Sequence, residues 1–341
     1  MKELLLGNAA IARGAYEAGV KVFSSYPGTP STEITENAAK YDEIYAEWAP
    51  NEKVALEVAI GASVAGVRSC ACMKHVGLNV AADPLFTVGY TGVRGGLVIC
   101  VADDPGMHSS QNEQDSRHYA ESAKVLMLEP SDSGECKEYM KAAYELSEKF
   151  DSPVLLRLST RIAHSQSLVE LGEREEVADK PYEKDAMKYV MMPAMARGRH
   201  TAVEERLQDA AAYAETSPLN TVEYNDKKIG IITAGTGYFY AKEALPDASF
   251  LKLGMVYPLP EKLILDFAKN VDKLYVIEEL DPFIENHVKR LGIPVEGKSV
   301  MPVKGEITAA MIREKILGAA KPAIQKADEP IPVRPPVLCP G

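Results

Sequence analysis

Long apolar runs are missing from this sequence. No stretch of about 18 consecutive apolar residues occurs, so the sequence predicts no membrane-spanning helix. The apolar part of the N-terminus, Leu4–Leu6, is too short for a secretory signal, and we expect a cytoplasmic protein. Basic residues are also few, since 38 Lys and Arg stand against 49 Asp and Glu and give a net charge of −11. This balance argues against nucleic acid as a partner.

Cysteine is scarce, and its spacing does not indicate a metal site. The five cysteines lack the spacing typical of metal-binding pairs, which favours a reducing compartment and predicts no metal ligands in this chain. Cys70 and Cys72 alternate in one strand-like run, and Cys100 lies in another. We therefore expect packed thiols rather than ligands.

The first 162 residues alternate strand-like and helix-like patterns. Helix-like patterns include Leu5–Ala18, Asn51–Gly66 and Leu78–Tyr90. Strands separated by helices predict an α/β fold with a doubly wound parallel sheet. The strand-like runs are residues 22–26, 44–48, 69–73, 97–101, 125–128 and 154–158.

The rest of the chain is predicted to add a second, smaller α/β unit at residues 227–322, because 341 residues are long for one domain. Residues 163–226 are interpreted as a connector with one amphipathic helix, Val203–Thr216. Residues 323–341 are rich in proline and predict an extended linker. The turn Ala234–Gly237 opens a helix and is read as a plain turn rather than an anion cradle.

Four polar strings follow the ends of predicted strands. They are Pro27–Ser31, Asn51–Glu52, Lys74–Asn79 and Asp103–Asn112. In doubly wound sheets ligands bind beyond the carboxyl ends of the strands. The sequence therefore predicts that these strings meet at one edge of the sheet and form a binding site there.

Glu52 opens a helix rich in Ala and Gly, nine residues before Gly61. Asn51 is the expected N-cap, and the helix dipole favours an acid in the first turn, which accounts for Glu52 without any function. The spacing also resembles that of thiamine-diphosphate enzymes. In those enzymes a carboxyl group bonds a ring nitrogen of the cofactor's aminopyrimidine and must be shielded from water.

The strings Pro27–Ser31 and Lys74–Asn79 are the most specific motifs of the chain. Together with Asn51–Gly66 and the polar loop Asp103–Asn112 they resemble the α subunits of indolepyruvate ferredoxin oxidoreductases, within the wider 2-oxoacid:ferredoxin oxidoreductase family. The resemblance runs along nearly the whole chain. It implies a pyrimidine-binding thiamine-diphosphate domain at residues 1–162 and a transketolase C-terminal-like domain at residues 227–322.

The resemblance also implies roles for individual residues. Glu52 would be the aminopyrimidine acid, with Thr29 and His75 as further catalytic residues. The cofactor would contact Pro27, Gly28, Thr29, Lys74 and Asn79 as well as Glu52. The substrate would be bound by Arg117, His108 and Asn112. Without the family, Thr29 reads as turn chemistry and Arg117 as a surface arginine.

Further cofactors and partners are implied in the same way. The family decarboxylates 2-oxo acids with thiamine diphosphate and passes electrons through iron–sulfur clusters to ferredoxin, while coenzyme A takes the acyl group. Mg²⁺ and [4Fe-4S] clusters are expected on domains that this sequence does not contain, so it resembles an N-terminal portion or one piece of a split enzyme, inactive by itself. A β subunit is expected, as is a homodimeric contact through the helix Asn51–Gly66.

Two alternatives stay open. Another member of the family would act on pyruvate, 2-oxoglutarate or a branched-chain acid, and nothing in the sequence fixes that side chain. A non-catalytic module would keep the fold as an oligomerisation surface, for which the small residues Ala55, Ala59, Ala62 and Ser63 suit close helix packing.

Overall fold

The computed structural model describes residues 1–319. The strands are β1 (Lys2–Leu6), β2 (Val22–Ser25), β3 (Tyr45–Trp48), β4 (Ser69–Lys74), β5 (Leu97–Asp103), β6 (Leu126–Leu128), β7 (Val154–Ser159), β8 (Gln166–Glu170), β9 (Thr221–Glu223), β10 (Asp226–Thr233), β11 (Ala248–Lys252), β12 (Met255–Tyr257) and β13 (Lys273–Ile277). The helices are α1 (Gly7–Glu17), α2 (Thr32–Ala38), α3 (Glu52–Ala65), α4 (His75–Val80), α5 (Ala82–Thr91), α6 (Arg117–Ala123), α7 (Ser133–Phe150), α8 (Thr160–His164), α9 (Ala186–Tyr189), α10 (Pro193–Ala214), α11 (Thr236–Ala244), α12 (Glu261–Lys269), α13 (Phe283–Arg290) and α14 (Ala309–Leu317).

A seven-stranded sheet organises the first unit, residues 1–162. Its order is β12-β6-β7-β5-β4-β2-β3, and all its strand pairs are parallel except β12 with β6. Every residue of the central strand β5 is buried, because helices cover both faces of a parallel sheet. Ile11 of α1 and Tyr144 of α7 lie in one core cluster, and Leu56 of α3 lies in the other. The predicted doubly wound α/β class is confirmed.

The second unit, residues 221–319, is built on a four-stranded sheet in the order β13-β10-β11-β9. Strand β12 of this unit is not part of that sheet. It pairs with β6 of the first unit, where Met255 lies opposite Leu128. Phe267 of α12 belongs to the same core cluster as Leu56 of α3. The two units therefore share both a sheet and a core. The exact domain boundaries stay predictions.

Three local predictions need correction. Leu5 and Leu6 do not begin a helix, because Lys2–Leu6 forms β1 and pairs antiparallel with β8. The connector holds more than one helix: it contains β8 and α9, and α10 already begins at Pro193, which suits a first helical turn. The helix predicted at Leu78–Tyr90 is two helices, α4 and α5, since Pro84 has no N–H to donate to the carbonyl of Val80.

Three further predictions concern membrane-spanning helices, the helix of the connector and the C-terminal linker. Within residues 1–319 no helix is long and apolar enough to cross a membrane. Of the apolar residues of the predicted amphipathic helix, Val203, Ala210 and Ala214 are buried and Leu207 is partly buried. The linker predicted at residues 323–341, and the last three residues of the predicted second domain, lie outside the described residues.

Candidate functional site

The carboxyl edge of the large sheet carries the four predicted strings. Pro27–Ser31 follows β2, Asn51–Glu52 follows β3, Lys74–Asn79 follows β4, and residues 103–112 follow β5. These four strands are neighbours and parallel, so their carboxyl ends point the same way. The contacts described below connect the strings in pairs.

Local chemistry fixes the position of Glu52 at the start of α3. The side chain of Asn51 accepts a hydrogen bond from the Val54 N–H at 3.0 Å, which is the predicted N-cap. Gly66 ends the helix in the left-handed region with φ +104°, where a side chain would be strained. Glu52 is therefore the first residue of a firmly bounded helix, and its side chain is half-buried.

Glu52 lies directly against the backbone of α4. A Cβ atom added at Gly77 would lie 2.6 Å from Glu52 Oε1 and 2.7 Å from its Cγ. Only glycine leaves room for the carboxyl group there. Among residues 1–319 this carboxylate has no hydrogen-bond or ion-pair partner, so it is open to a ligand's donor.

Lys74 connects the Pro27–Ser31 turn to the loop after β5. A Cβ at Gly28 would lie 3.1 Å from the Cγ and Cδ of Lys74, so the turn packs on the aliphatic part of that side chain. Its Nζ donates to the carbonyl of Ser109 at 2.8 Å. Pro27 and Thr29 are exposed beside it, and the Thr29–Pro30 peptide bond is cis. Thr29 is thus one of the exposed residues of this turn.

His75 is buried, with 1% of its surface exposed, at the first position of α4. Its Nε2 lies 3.2 Å from the carbonyl oxygen of Asn112. A carbonyl only accepts, so Nε2 carries the proton and donates. Nδ1 then holds a lone pair, and it is buried with no partner among the described residues. A buried acceptor of this kind is unusual, because buried polar atoms are normally hydrogen-bonded.

Asn79 lies at the exposed end of α4. Its Oδ1 accepts from the hydroxyl of Tyr119 at 2.6 Å. The amide nitrogen of Asn79 remains as the group that can donate to a ligand. Nothing in the local sequence pointed to Tyr119, which lies 40 residues further along the chain.

The segment 104–115, here called the cover loop, closes over Lys74 and His75. Its base is fixed by Asp103, which accepts from the N–H and hydroxyl of Ser116 at 3.1 and 2.5 Å. Asp104 accepts from Ser110 at 2.7 Å and from Thr160 at 2.6 Å. Burial acts to raise the pKa of Asp104, but these hydrogen bonds and those from backbone N–H groups outweigh it and lower that pKa.

The predicted substrate contacts of the cover loop are only partly present. His108 is half-exposed, and its Nε2 lies 3.2 Å from a carboxylate oxygen of Glu306 in the second unit. Asn112 is exposed and its side chain accepts from Gln114, while its backbone carbonyl accepts from His75. The contact of both residues with a substrate stays a prediction.

Arg117 is buried and paired inside the protein, which corrects its reading as a surface arginine and argues against the predicted contact with a substrate. It is 1% exposed and donates to Asp115 at 2.9 Å and to Glu278 of the second unit at 2.6 Å. It also donates to the carbonyls of residues 279 and 281. Burial acts to raise the pKa of Asp115, but the charges of Arg117 and Arg157 outweigh it and hold that pKa well below its usual range. Arg117 therefore joins the two units.

Two other candidate features are structural. The Sγ atom of Cys70 lies 3.7 Å from that of Cys72 and 3.8 Å from that of Cys100, inside an apolar core cluster. The turn at Gly235 is occupied from within the protein, because the Glu129 carboxylate lies against it and Thr236 donates to Glu279 at 3.0 Å. Two carboxylates at this helix start leave no room for an external anion.

Comparison with known proteins gives the context for this site. Residues 13–230 match the family model described as pyruvate flavodoxin/ferredoxin oxidoreductase, thiamine diphosphate-binding. The indolepyruvate oxidoreductase subunit IorA of Archaeoglobus fulgidus is 45% identical, over 100% of this chain and 59% of the relative. The corresponding protein of Methanothermobacter thermautotrophicus is 43% identical over 100% and 58%. The chain thus spans about three-fifths of the length of these curated relatives.

Solved structures support the fold. A 2-oxoglutarate:ferredoxin oxidoreductase from Magnetococcus marinus, solved with 2-oxoglutarate, coenzyme A and succinyl-CoA, aligns with a TM-score of 0.77 at 18% identity, over 93% of this chain and 65% of that one. A split-gene transketolase aligns with a TM-score of 0.57 at 15% identity, over 92% and 96%. At these identities the likeness concerns the fold alone. Because the family model covers well over half of the chain, the protein belongs to the thiamine diphosphate-binding family of pyruvate flavodoxin/ferredoxin oxidoreductases.

Proposed function

We propose that this chain supplies the aminopyrimidine side of the thiamine diphosphate site in a ferredoxin-dependent oxidoreductase that decarboxylates aryl pyruvates such as indolepyruvate. The observation that carries the proposal is the Glu52 carboxylate, held over Gly77 with no protein partner among residues 1–319. The relatives named for indolepyruvate, at 41–45% identity, support the choice of substrate class.

The residues at this edge fit the cofactor. A half-buried carboxyl group, a glycine that leaves space beside it and the unpartnered Nδ1 of His75 together offer groups that a polar aromatic ring with an amino substituent would satisfy. When bound, thiamine diphosphate supplies the carbon nucleophile that attacks the 2-oxo carbon of the substrate. Glu52 would hold a proton at its carboxyl oxygen, facing a ring nitrogen.

The other candidate residues at this edge would orient the cofactor and the substrate and shield them from water. Asn79, whose Oδ1 is taken by Tyr119, would donate from its amide nitrogen. Pro27, Gly28 and Lys74 would form the wall on which the cofactor rests, and the Thr29 hydroxyl would lie toward the substrate carbonyl. His108 and Asn112 on the cover loop would meet the substrate and exclude water.

Partners of the complete enzyme follow from the same proposal. Coenzyme A would accept the acyl group, and ferredoxin would accept electrons through [4Fe-4S] clusters. Those clusters, and the Mg²⁺ with the diphosphate of the cofactor, would be bound by a portion of the enzyme that corresponds to the part of the relatives not matched by this chain. A β subunit would complete the assembly, which we place in the cytoplasm.

A second copy of the chain would contact the outer face of α3. Val58 on α3, Val80 on α4 and Phe86 on α5 are 45%, 49% and 40% exposed, and the three helices pack against one another. A Cβ at Gly61 would meet no atom within 4 Å, so there is open space beside α3 at this residue. Where exposed apolar side chains form a contiguous patch, they mark an interaction surface.

The test is single-turnover decarboxylation by the full-length protein assembled with its partner subunit, comparing wild type, Glu52→Gln and Glu43→Gln. Glu43 is an exposed acid with no partner among the described residues, and it serves as the matched control. We expect CO₂ release from indolepyruvate in wild type and control, and a loss of roughly a hundredfold or more in Glu52→Gln, as for removal of a catalytic proton donor. Equal rates in all three would refute the assignment of Glu52.

A further inference from the structure

The cover loop is attached to the second unit through Glu113 as well as to the first unit through Asp104. Glu113 Oε1 accepts from the N–H of Gly106 at 2.6 Å and from the N–H of Gly305 at 2.8 Å. One carboxylate oxygen therefore joins the two limbs of the loop to each other and to residues 303–307 of the second unit. Hydrogen bonds to an ionised carboxylate are stronger than those between neutral groups.

The backbone at both donors is shaped for this contact. Gly106 has φ +86° and Gly305 has φ +81°, in the region that residues with a side chain rarely adopt. Their N–H groups converge on Glu113 because of that conformation. A second link runs beside the first, since Arg161 of α8 donates to Glu306 at 2.9 and 2.8 Å and His108 lies 3.2 Å from Glu306.

The segment that receives the loop is itself anchored inside the second unit. The N–H of Ile307 donates to Glu279 at 3.0 Å, and the other carboxylate oxygen of Glu279 accepts from Thr236. Glu279 follows directly on Glu278, the partner of Arg117. The contact between Glu113 and Gly305 is thus tied to the buried ion pair that joins the two units.

The inner side of the cover loop holds two residues of the candidate site. The carbonyls of Ser109 and Asn112 accept from Lys74 Nζ at 2.8 Å and from His75 Nε2 at 3.2 Å. The Asn112 carbonyl is adjacent in sequence to Glu113. A shift of the Glu113 backbone would therefore move the acceptor that fixes the tautomer and ring orientation of His75.

We propose that Glu113 is a positioning residue: it locks the cover loop to the second unit and thereby sets the orientation of the His75 imidazole and its free Nδ1. The second unit then contributes to the site without touching the ligand. Only the consequence for ligand binding rests on the function proposed above, because the lock itself is a property of the chain's own contacts.

The lock is tested by deuterium exchange of the ligand-free, full-length protein assembled with its partner subunit. The variants are Glu113→Ala, Glu113→Gln, which keeps an acceptor oxygen, and the control Glu173→Ala, an exposed acid of the connector with no partner among residues 1–319. In Glu113→Ala we expect backbone exchange in residues 105–113 and 303–307 to rise roughly tenfold. The variant lacks the two hydrogen bonds that hold these segments closed, so they open more often. Exchange of the His75 ring C2 hydrogen should also accelerate.

The outcomes decide whether Glu113 is a positioning residue. Wild-type exchange in Glu113→Gln and Glu173→Ala, with faster exchange at both segments and at His75 in Glu113→Ala, supports the proposal. Unchanged exchange at either segment, or at His75, overturns it. In the same preparations the KM for the 2-oxo acid should rise in Glu113→Ala more than kcat falls. Turnover absent even from wild type, with the exchange changes present, would refute the proposed function and leave the lock intact.

Discussion

Glu52 lies so close to Gly77 that a Cβ atom at residue 77 would be 2.6 Å from the carboxylate oxygen Oε1. The two residues come from different helices, α3 and α4, and meet above the carboxyl ends of β3 and β4. The position of the predicted cofactor acid therefore depends on the absence of a side chain in another element. A substitution at Gly77 tests that dependence without altering Glu52 itself.

Gly77→Ala should displace the Glu52 carboxyl group. We expect thiamine diphosphate affinity of the assembled, full-length protein to fall roughly tenfold or more, which corresponds to about 1.4 kcal/mol. Helix stability should not suffer, since Ala is favoured over Gly inside a helix by about 1 kcal/mol. Isothermal titration with thiamine diphosphate and Mg²⁺ measures the affinity. Gly198→Ala in α10, where an added Cβ meets no atom within 4 Å, is the matched control, and equal affinities would contradict the prediction.

Arg117 should matter for stability rather than for substrate recognition. Arg117→Met leaves Glu278 buried without its ion-pair partner and Asp115 with only Arg157, 3.8 Å away, and breaking a buried ion pair in this way costs about 3–5 kcal/mol. Urea unfolding measures the loss. Arg197→Met, at an exposed position of α10, should change the free energy of unfolding by less than about 0.5 kcal/mol. A raised KM for the 2-oxo acid with unfolding unchanged would restore the substrate-binding role of Arg117.

The sequence carries the local features of this fold and site and misses the distant ones. The cap at Asn51 and the alternation of strands and helices are visible because each depends on neighbouring residues. β1 escapes notice because it pairs with β8, more than 150 residues later, and only that pairing makes it a strand. Arg117 looks like a surface residue for the same reason, since its partner Glu278 is 161 residues away.

The candidate site shows the same division between local features, which the sequence predicts, and contacts between distant residues, which it does not. The four strings could be assigned to one edge because parallel strands place their carboxyl ends together. What each side chain does there depends on contacts between strings. Gly77 was part of a specific motif, yet its role as the space for Glu52 depends on the angle at which α3 and α4 pack. Tyr119 and Glu113 gave no signal, because a lone tyrosine and a lone acid occur on most surfaces.

The cover loop should loosen in acid through Asp104. Its pKa is lowered in the folded protein, so its stabilising contribution is present above its unfolded pKa of about 4 and is lost as the pH falls through the folded value. Asp104→Asn removes that charge. The difference in unfolding free energy between wild type and Asp104→Asn should therefore be largest near neutral pH and shrink below about pH 4. Urea unfolding of the two proteins across this range provides the measurement, and a difference independent of pH would contradict it.

Val58 should control association of the chain with a second copy. A glutamate there would place a charge on the outer side of α3, the proposed interface between copies, and burying an unpaired charge is costly. We expect Val58→Glu to shift the assembled protein toward a species with half the number of copies, seen by mass photometry. Val190→Glu is the matched control, because Val190 is 44% exposed where Val58 is 45% exposed, and it lies beyond α9, away from the candidate site. Identical mass distributions for Val58→Glu and wild type would rule this face out as the interface between copies. A shift in both variants would instead point to a general effect of added charge.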